Sequence, residues 1–377
     1  MRRIHYIGFY IGKEFQDDYS GNVPGMLKMR YIEERMLEAG YTPEILSLAT
    51  ANRNGVYLQK KVKQGCGDKV IYTPGFGGTR RTAKLLNLII KRVAFIKYII
   101  FHTHKDDVIV LYHSKPYTDT MALLKRVCNR NVICEVEEIY GYNAVEDKPW
   151  VQDEINSILR MDKFILVNEG MIERLGLKKD RCVVSYGVCN YVERTIPRYT
   201  DGKIHVIYAG TVEKKKLGAI SAVKAAEYLP EKYIMHIIGF GTKENIDYLE
   251  HTIKDINRRV GSIKVQYDGF YSGSALDDEL FKCHIGLSSN VMRPNFANNS
   301  FPSKVMTYMC HGLSVVLGYA DAFGKGTLAD KWTFYYSHNP KEIAEAISSA
   351  PLINDDYYRG DLEKMNEELI AFLRREN

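Results

Sequence analysis

Short apolar runs alternate with longer segments of helical periodicity along the whole chain, and the alternation breaks only once before it resumes. In the first half, "IHYIGFYI", "EILSLA", "KVIYTPGF", "DVIVLYHS", "NVICEVEE", "KFILVNEG" and "CVVSYGV" read as strands. Most are apolar on both faces, as strands covered by helices on two sides must be. Helical segments lie between them. One is "MLKMRYIEERMLEAG", which closes at Gly40, a residue able to take the left-handed conformation that stops a helix. The break is Asn190 to Lys203, "NYVERTIPRYTDGK", which is polar, contains a proline and reads as a linker. After it come "IHVIYAG", "YIMHIIGFG", "IKVQYDGF", "CHIGLSSN" and "LSVVLGYA". Strand–helix alternation of this kind implies parallel sheets with right-handed crossovers. The expected architecture is therefore α/β, with two domains facing across a cleft: residues 1–190, residues 203–358, and a helix at 359–377 that packs back across them. A chain of 377 residues is too long for one ordinary core, which agrees with two domains.

The totals exclude several classes. A net charge of +6 permits an anionic ligand but does not demand nucleic acid. The seven cysteines are scattered, with no Cys-x-x-Cys pair, so neither a disulfide framework nor a zinc site is indicated. The opening "MRRIHYIGFYIGKEF" meets charge too early for a secretory leader, and nowhere do 18 apolar residues run unbroken. The expected location is the cytoplasm. There is no Asp-x-Asp metal–diphosphate clamp, no P-loop lysine motif and no Gly-x-Ser-x-Gly nucleophile elbow.

The stretches that carry chemistry lie at strand ends, where ligands of parallel sheets sit. In "SFPSKVMTYMCHGL", residues 300 to 313, Pro302 suits a first helical turn, and Ser303 and Lys304 follow it. Unpaired backbone N–H groups and the helix dipole attract an anion there, and a cation in that turn is otherwise unfavourable. Met306, Met309 and Leu313 have the spacing of a buried face; the plainer reading is a core helix with an exposed lysine. "VIYAGTVEKKKLG" ends a strand at Gly210 and enters a basic loop with Lys214, Lys215 and Lys216. In "IIGFGTKENIDYLE", Gly239 and Gly241 form a tight strand-to-helix turn, but Glu244 stands where a dinucleotide fingerprint needs its third glycine. In the first half, "DYSGNVPG" sets Gly21 and Gly25 in a loop before a helix. His113 lies at one strand end, and Glu137 and Glu138 at the next.

In order and spacing, "YAGTVEKKK", "IIGFG", "YDGF" and "SFPSKVMTYMCHGLSVV" resemble the C-terminal domain of GT-B glycosyltransferases, which pair two Rossmann-like domains across a cleft. The nearest likeness is to family 4, many members of which build bacterial surface polysaccharides. The match runs from Lys203 to Asp330. The resemblance implies transfer of a hexosyl group from a nucleotide-diphosphate sugar, a UDP-sugar, to a glycan or lipid-linked acceptor. It implies a retaining, metal-independent reaction without a cofactor. Lys216, Ser303 and Lys304 would hold the diphosphate, with Gly21, Gly210 and Gly241 allowing close approach. Gly269 and Phe270 would meet the base. His113 would orient the sugar, and Glu138 would assist the acceptor. The family often has two glutamates with seven residues between them, where this chain has Asn299 and Thr307. That departure admits a non-catalytic partner subunit, and the strand plan alone admits an NAD-dependent enzyme lacking the full fingerprint. Finally, Arg80 to Phe101 mixes Arg80, Arg81, Lys84, Lys91, Arg92 and Lys97 with apolar runs. This reads either as a basic amphipathic helix on the anionic inner face of a membrane or as a domain helix with a wet basic face.

Overall fold

The computed structural model describes residues 3–21, 23–63, 69–78, 81–143, 146–213, 218–289 and 293–375. The N-terminal half builds an eight-stranded sheet. Its strands are β1 (Ile4–Gly8), β2 (Glu44–Ser47), β3 (Lys60–Lys63), β4 (Lys69–Tyr72), β5 (Val108–Tyr112), β6 (Asn131–Val136), β7 (Lys163–Leu166) and β8 (Cys182–Val184). Their spatial order is β8-β7-β6-β5-β1-β2-β4-β3, and every pairing is parallel except β3 with β4. The order reverses beside β1, between β5 and β2, and a ligand crevice is expected at such a switch point. The second half has a six-stranded parallel sheet of β9 (Ile204–Ala209), β10 (Tyr233–Ile238), β11 (Val265–Gly269), β12 (Ile285–Ser288), β13 (Ser314–Gly318) and β14 (Trp332–Tyr335), ordered β11-β10-β9-β12-β13-β14. This is the two-domain α/β plan read from the alternation.

Some expectations shift. "IHYIGFYI" is a strand only to Gly8, and "KVIYTPGF" splits into β4 and a short strand Gly75–Gly77 that pairs with Gly55–Tyr57. The strand β3, "KKVK", carries no apolar run. It is an edge strand, and charged edges resist pairing with other chains. The first helix, α1 (Val23–Glu38), is followed by Gly40 at φ +94°, the conformation expected there.

The helix α2 (Arg81–His102) corrects the basic-face reading in part. Lys91 is turned inward, where its Nζ donates to Leu48 O at 2.7 Å, Ala49 O at 2.5 Å and Thr50 Oγ1 at 3.0 Å. Burial pulls its pKa down to about 7. Arg92 donates to Pro116 O. What α2 leaves exposed is largely apolar: Leu85, Leu86, Ile89, Val93, Ile100 and Phe101 lie outward, with Arg81, Lys84 and Lys97 among them.

Segment 190–203 has no regular structure, but it is tied down. Arg194 Nε and Arg198 Nη2 both meet Asp355, and Arg194 Nη1 also reaches Phe281 O. The last helix, α6 (Arg359–Arg374), buries Leu362, Leu369, Phe372 and Leu373 in one cluster with residues of α1 and β1. Helices α3 (Lys115–Leu124), α4 (Val151–Ile158) and α5 (Ser303–Cys310) frame the site described next.

Candidate functional site

Three strand-end turns of the second sheet are laced side by side. Gly210 N donates to Ile238 O, Val212 N to Phe240 O, and Gly239 N to Gly269 O. A Cβ on Gly239 would fall 1.7 Å from Gly210 O, and one on Gly241 would lie 2.5 Å from Val212 O. Only glycine permits these turns to close on each other. Gly269 itself has φ +93°. Beyond them Phe240 and Phe270 stand exposed, their rings 5.4 Å apart and nearly perpendicular. Phe240 was not singled out from the sequence. An isolated aromatic after a strand carries no periodic signal, and only the adjacency of the two turns makes the pair.

The helix α5 starts on the same side. Pro302 occupies the capping position rather than the first turn, with φ −75° and ψ 105°, and Val305 N bonds to its carbonyl. Ser303 and Lys304 therefore open the helix proper, and no side chain caps its N–H groups. Met306, Met309 and Leu313 are buried, as their spacing predicts. Tyr308 anchors the helix to the sheet: its hydroxyl accepts from Ala209 N at 3.0 Å and donates to Leu287 O at 3.2 Å. Lys304 lies back over the Tyr208 ring, its Nζ 3.9 Å from the centroid, and a Cβ on Gly210 would come within 2.9 Å of that nitrogen. The chain thus brings Ser303, Lys304, Gly210, Gly241, Gly269 and Phe270 to one end of one sheet. Lys216 lies outside the described residues.

Asn299 and Thr307, at the positions where acidic residues were sought, differ from each other. Thr307 Oγ1 donates back to Ser303 O at 3.3 Å, within its own helix. Asn299 is buried at the seam of the two domains. Its Nδ2 donates to Asn295 O, its carbonyl accepts from Ile139 N, and its Oδ1 meets no partner among the described residues. Asn168 Nδ2 to Ser300 O and Arg293 to Asp147 add further bonds across that seam.

On the facing side, His113 is buried and both ring nitrogens are engaged. Thr118 Oγ1 lies 2.8 Å from Nδ1 and Glu154 Oε1 lies 2.8 Å from Nε2. Thr118 accepts from Ser114 N, which leaves its own proton for Nδ1, so Nε2 carries the ring proton toward Glu154. Glu154 also accepts from Tyr140 N and Gly141 N. His113 therefore fixes the turn after β6 from behind, with the Tyr140 ring stacked on it, and does not present a ring nitrogen to the cleft. Glu138 is half-buried in that turn. Gly21 lies across from it, where a Cβ would strike Met26 and Ile11.

Beneath the turn is an acidic pair, Glu135 fully buried and Glu137 half-buried. Tyr6 donates to Glu135 Oε2 at 2.5 Å, and Lys28 Nζ is 3.7 Å from Glu137 Oε1. One ammonium serves two carboxylates, and its remaining bonds go to Ser185 and Gly187. Burial, then the Glu137 charge, raises the Glu135 carboxyl to about 8. In the unfolded chain such a group ionises near ~4.3. The folded state therefore holds an extra proton between those values, and the associated stability is lost as pH rises through about 8. The melting temperature should fall over this window, and the fall should be shallower in Glu135→Gln. An equal slope in both proteins would refute it.

No family model matches the chain, and no curated protein does. Solved structures do. Sucrose-phosphate synthase from Thermosynechococcus elongatus superposes with a TM-score of 0.65 at 12% identity, covering 100% of this chain and 94% of that one. The α,α-trehalose 6-phosphate synthase from Burkholderia multivorans gives 0.63 at 12%, covering 100% and 94%. The UDP-forming α,α-trehalose-phosphate synthase from Burkholderia xenovorans, in complex with glucose-6-phosphate, gives 0.60 at 11%, covering 100% and 97%. At such identities the likeness establishes the fold, the paired α/β domains of GT-B proteins.

Proposed function

We propose that the chain is a glycosyltransferase moving a sugar from a UDP-sugar to an acceptor hydroxyl. The observation that carries this reading is the convergence of Lys304, the uncapped start of α5 and three interlocked glycine turns at one sheet end. Free N–H groups, a helix dipole and an ammonium are what a diphosphate needs, and the exposed Phe240–Phe270 pair offers a face for the base. The structural neighbours include UDP-forming enzymes, which favours the same donor class. In the reaction, the bond from the sugar's C1 to the diphosphate oxygen breaks and its electron pair stays on the UDP. The acceptor oxygen bonds to C1 on the face from which the diphosphate departs, its hydroxyl proton passes to the departing phosphate oxygen, and Glu138 assists by orienting the acceptor. Fixed positive groups stabilise the departing charge without a metal, and such preorganised electrostatics is commonly the largest catalytic contribution. His113 and Glu154 act as positioning residues behind the Tyr140 turn. Asn299 Oδ1 would receive a donor hydroxyl, and retention of the anomeric configuration follows the family resemblance.

Incubation with a panel of UDP-sugars, reading UDP release and thermal shift, tests the reading. UDP binding with release is expected; binding without release on any sugar or acceptor favours the accessory-subunit alternative. That alternative rests on one feature, the absence of a carboxylate at Asn299 and Thr307. Formation of surface polysaccharide is the finer assignment, from the sequence resemblance; the structural neighbours are named for disaccharide phosphates.

Among the described residues no helix is long and apolar enough to cross a membrane. The outward apolar face of α2, with Arg81, Lys84 and Lys97 beside it, matches instead an anionic lipid surface, and we assign that role to it. The protein should float with phosphatidylserine-containing vesicles at low salt, and Leu85→Glu combined with Ile89→Glu should abolish this. Failure of the native chain to float would exclude the surface.

A further inference from the structure

A cavity in the first domain lies outside the donor site. Phe9, Gly21, Met26, Met29, Tyr112 and Tyr140 line a space of about 250 Å³ at the carboxyl ends of β1, β5 and β6. It sits at the switch point of the first sheet and holds roughly one pyranose ring. Its walls are aromatic rings, methionines and glycine backbone, and among the described residues no lysine, arginine or histidine lines it. The charges around it are acidic: Glu137 and Glu138 follow β6 directly, and the phenols of Tyr112 and Tyr140 both feel them, on top of the burial that chiefly raises both. The nearby cation, Lys28, is 2% exposed and bonded to Ser185, Gly187 and Glu137.

We infer that this pocket seats the acceptor and that the acceptor group entering it is a neutral sugar residue, not a sugar phosphate. The inference rests on the glycosyltransferase reading. An aromatic wall suits the C–H face of a sugar ring. Glu138, whose charge acts on the Tyr140 phenol, suits hydroxyl donors and disfavours a phosphate, while Glu137 is already paired with Lys28. A buried phosphate would need a cation, and the described lining offers none. This separates the chain from its structural neighbour in complex with glucose-6-phosphate.

The test uses the full chain with methyl glycosides of glucose, galactose, mannose and N-acetylglucosamine, each beside its free sugar 6-phosphate, with binding read by saturation-transfer NMR and titration. At least one methyl glycoside should bind about tenfold more tightly than the 6-phosphate partner. Tyr140→Ala should abolish that binding, and Glu138→Lys should narrow the difference. Melting curves identify any variant that fails to fold, and the wild-type comparison stands without them. Equal or tighter binding of the 6-phosphates, or no glycoside binding at all, overturns the inference. UDP titration of the same samples reports on the donor reading separately. UDP binding without glycoside binding defeats only the acceptor assignment, and glycoside binding without UDP defeats only the donor assignment.

Discussion

Replacing Lys304 with alanine should slow sugar transfer on the order of a hundredfold, about 2.7 kcal/mol, a loss typical for one donor to a developing oxyanion. The fold should barely notice. The ammonium sits over the Tyr208 ring, a contact worth roughly 0.5–1 kcal/mol, while its place in the first turn of α5 costs a few tenths against the dipole. The two largely offset. UDP affinity should fall as well, but less than the rate, because charge grows on the diphosphate only as the sugar leaves. Lys216→Ala should act alike, and the double variant should be less than additive because both serve one group. A core helix with an incidental lysine would behave in the opposite way, losing stability and keeping its nucleotide affinity. Calorimetric titration with UDP beside melting temperatures separates the two, and native affinity in Lys304→Ala would end the diphosphate role of this helix.

Glu154→Ala should be the most destabilising single change near the site, at about 3–5 kcal/mol. The carboxylate is wholly buried and accepts from His113 Nε2, Tyr140 N and Gly141 N. Without it, three donors lose their acceptor. Urea unfolding of the variant measures the loss. If His113 works by position alone, His113→Ala should share most of this cost, and the pair should be strongly non-additive. Additive losses would mean that His113 and Glu154 do separate things.

Much of the architecture was legible because strands covered on both sides are largely apolar: β5 is so throughout, and β6, β9 and β13 break the run only at Asn131, Glu135, His205 and Ser314. The edge strand β3 was not, because one solvated side and a run of lysines erase the alternation. Of the site, the start of α5 was legible through its local order of Pro302, Ser303 and Lys304. The pairing of Phe240 with Phe270 was not, since 30 residues separate two rings that only the β10–β11 neighbourhood joins. The environment of His113 was equally hidden. Its partner Glu154 lies 41 residues away on α4, in a helix whose sequence gives no reason to point a carboxylate inward. Lys91 shows the converse: sequence pattern placed it on a wet face, but three acceptors in the loop after β2 draw it inside.

The last helix, α6, has a bearing on biosynthesis. Tyr31 and Arg35 bond Asn366, Tyr41 bonds Leu373 O, and Arg374 bonds Glu38 O, so the slot on the first domain is filled by residues made more than three hundred positions later. A ribosome-bound chain must therefore carry a nearly finished first domain with an open apolar groove while the whole second domain is translated. Domains that fold in order of emergence can close independently. Here closure of the first domain requires residues of α6, which are made only after the second domain.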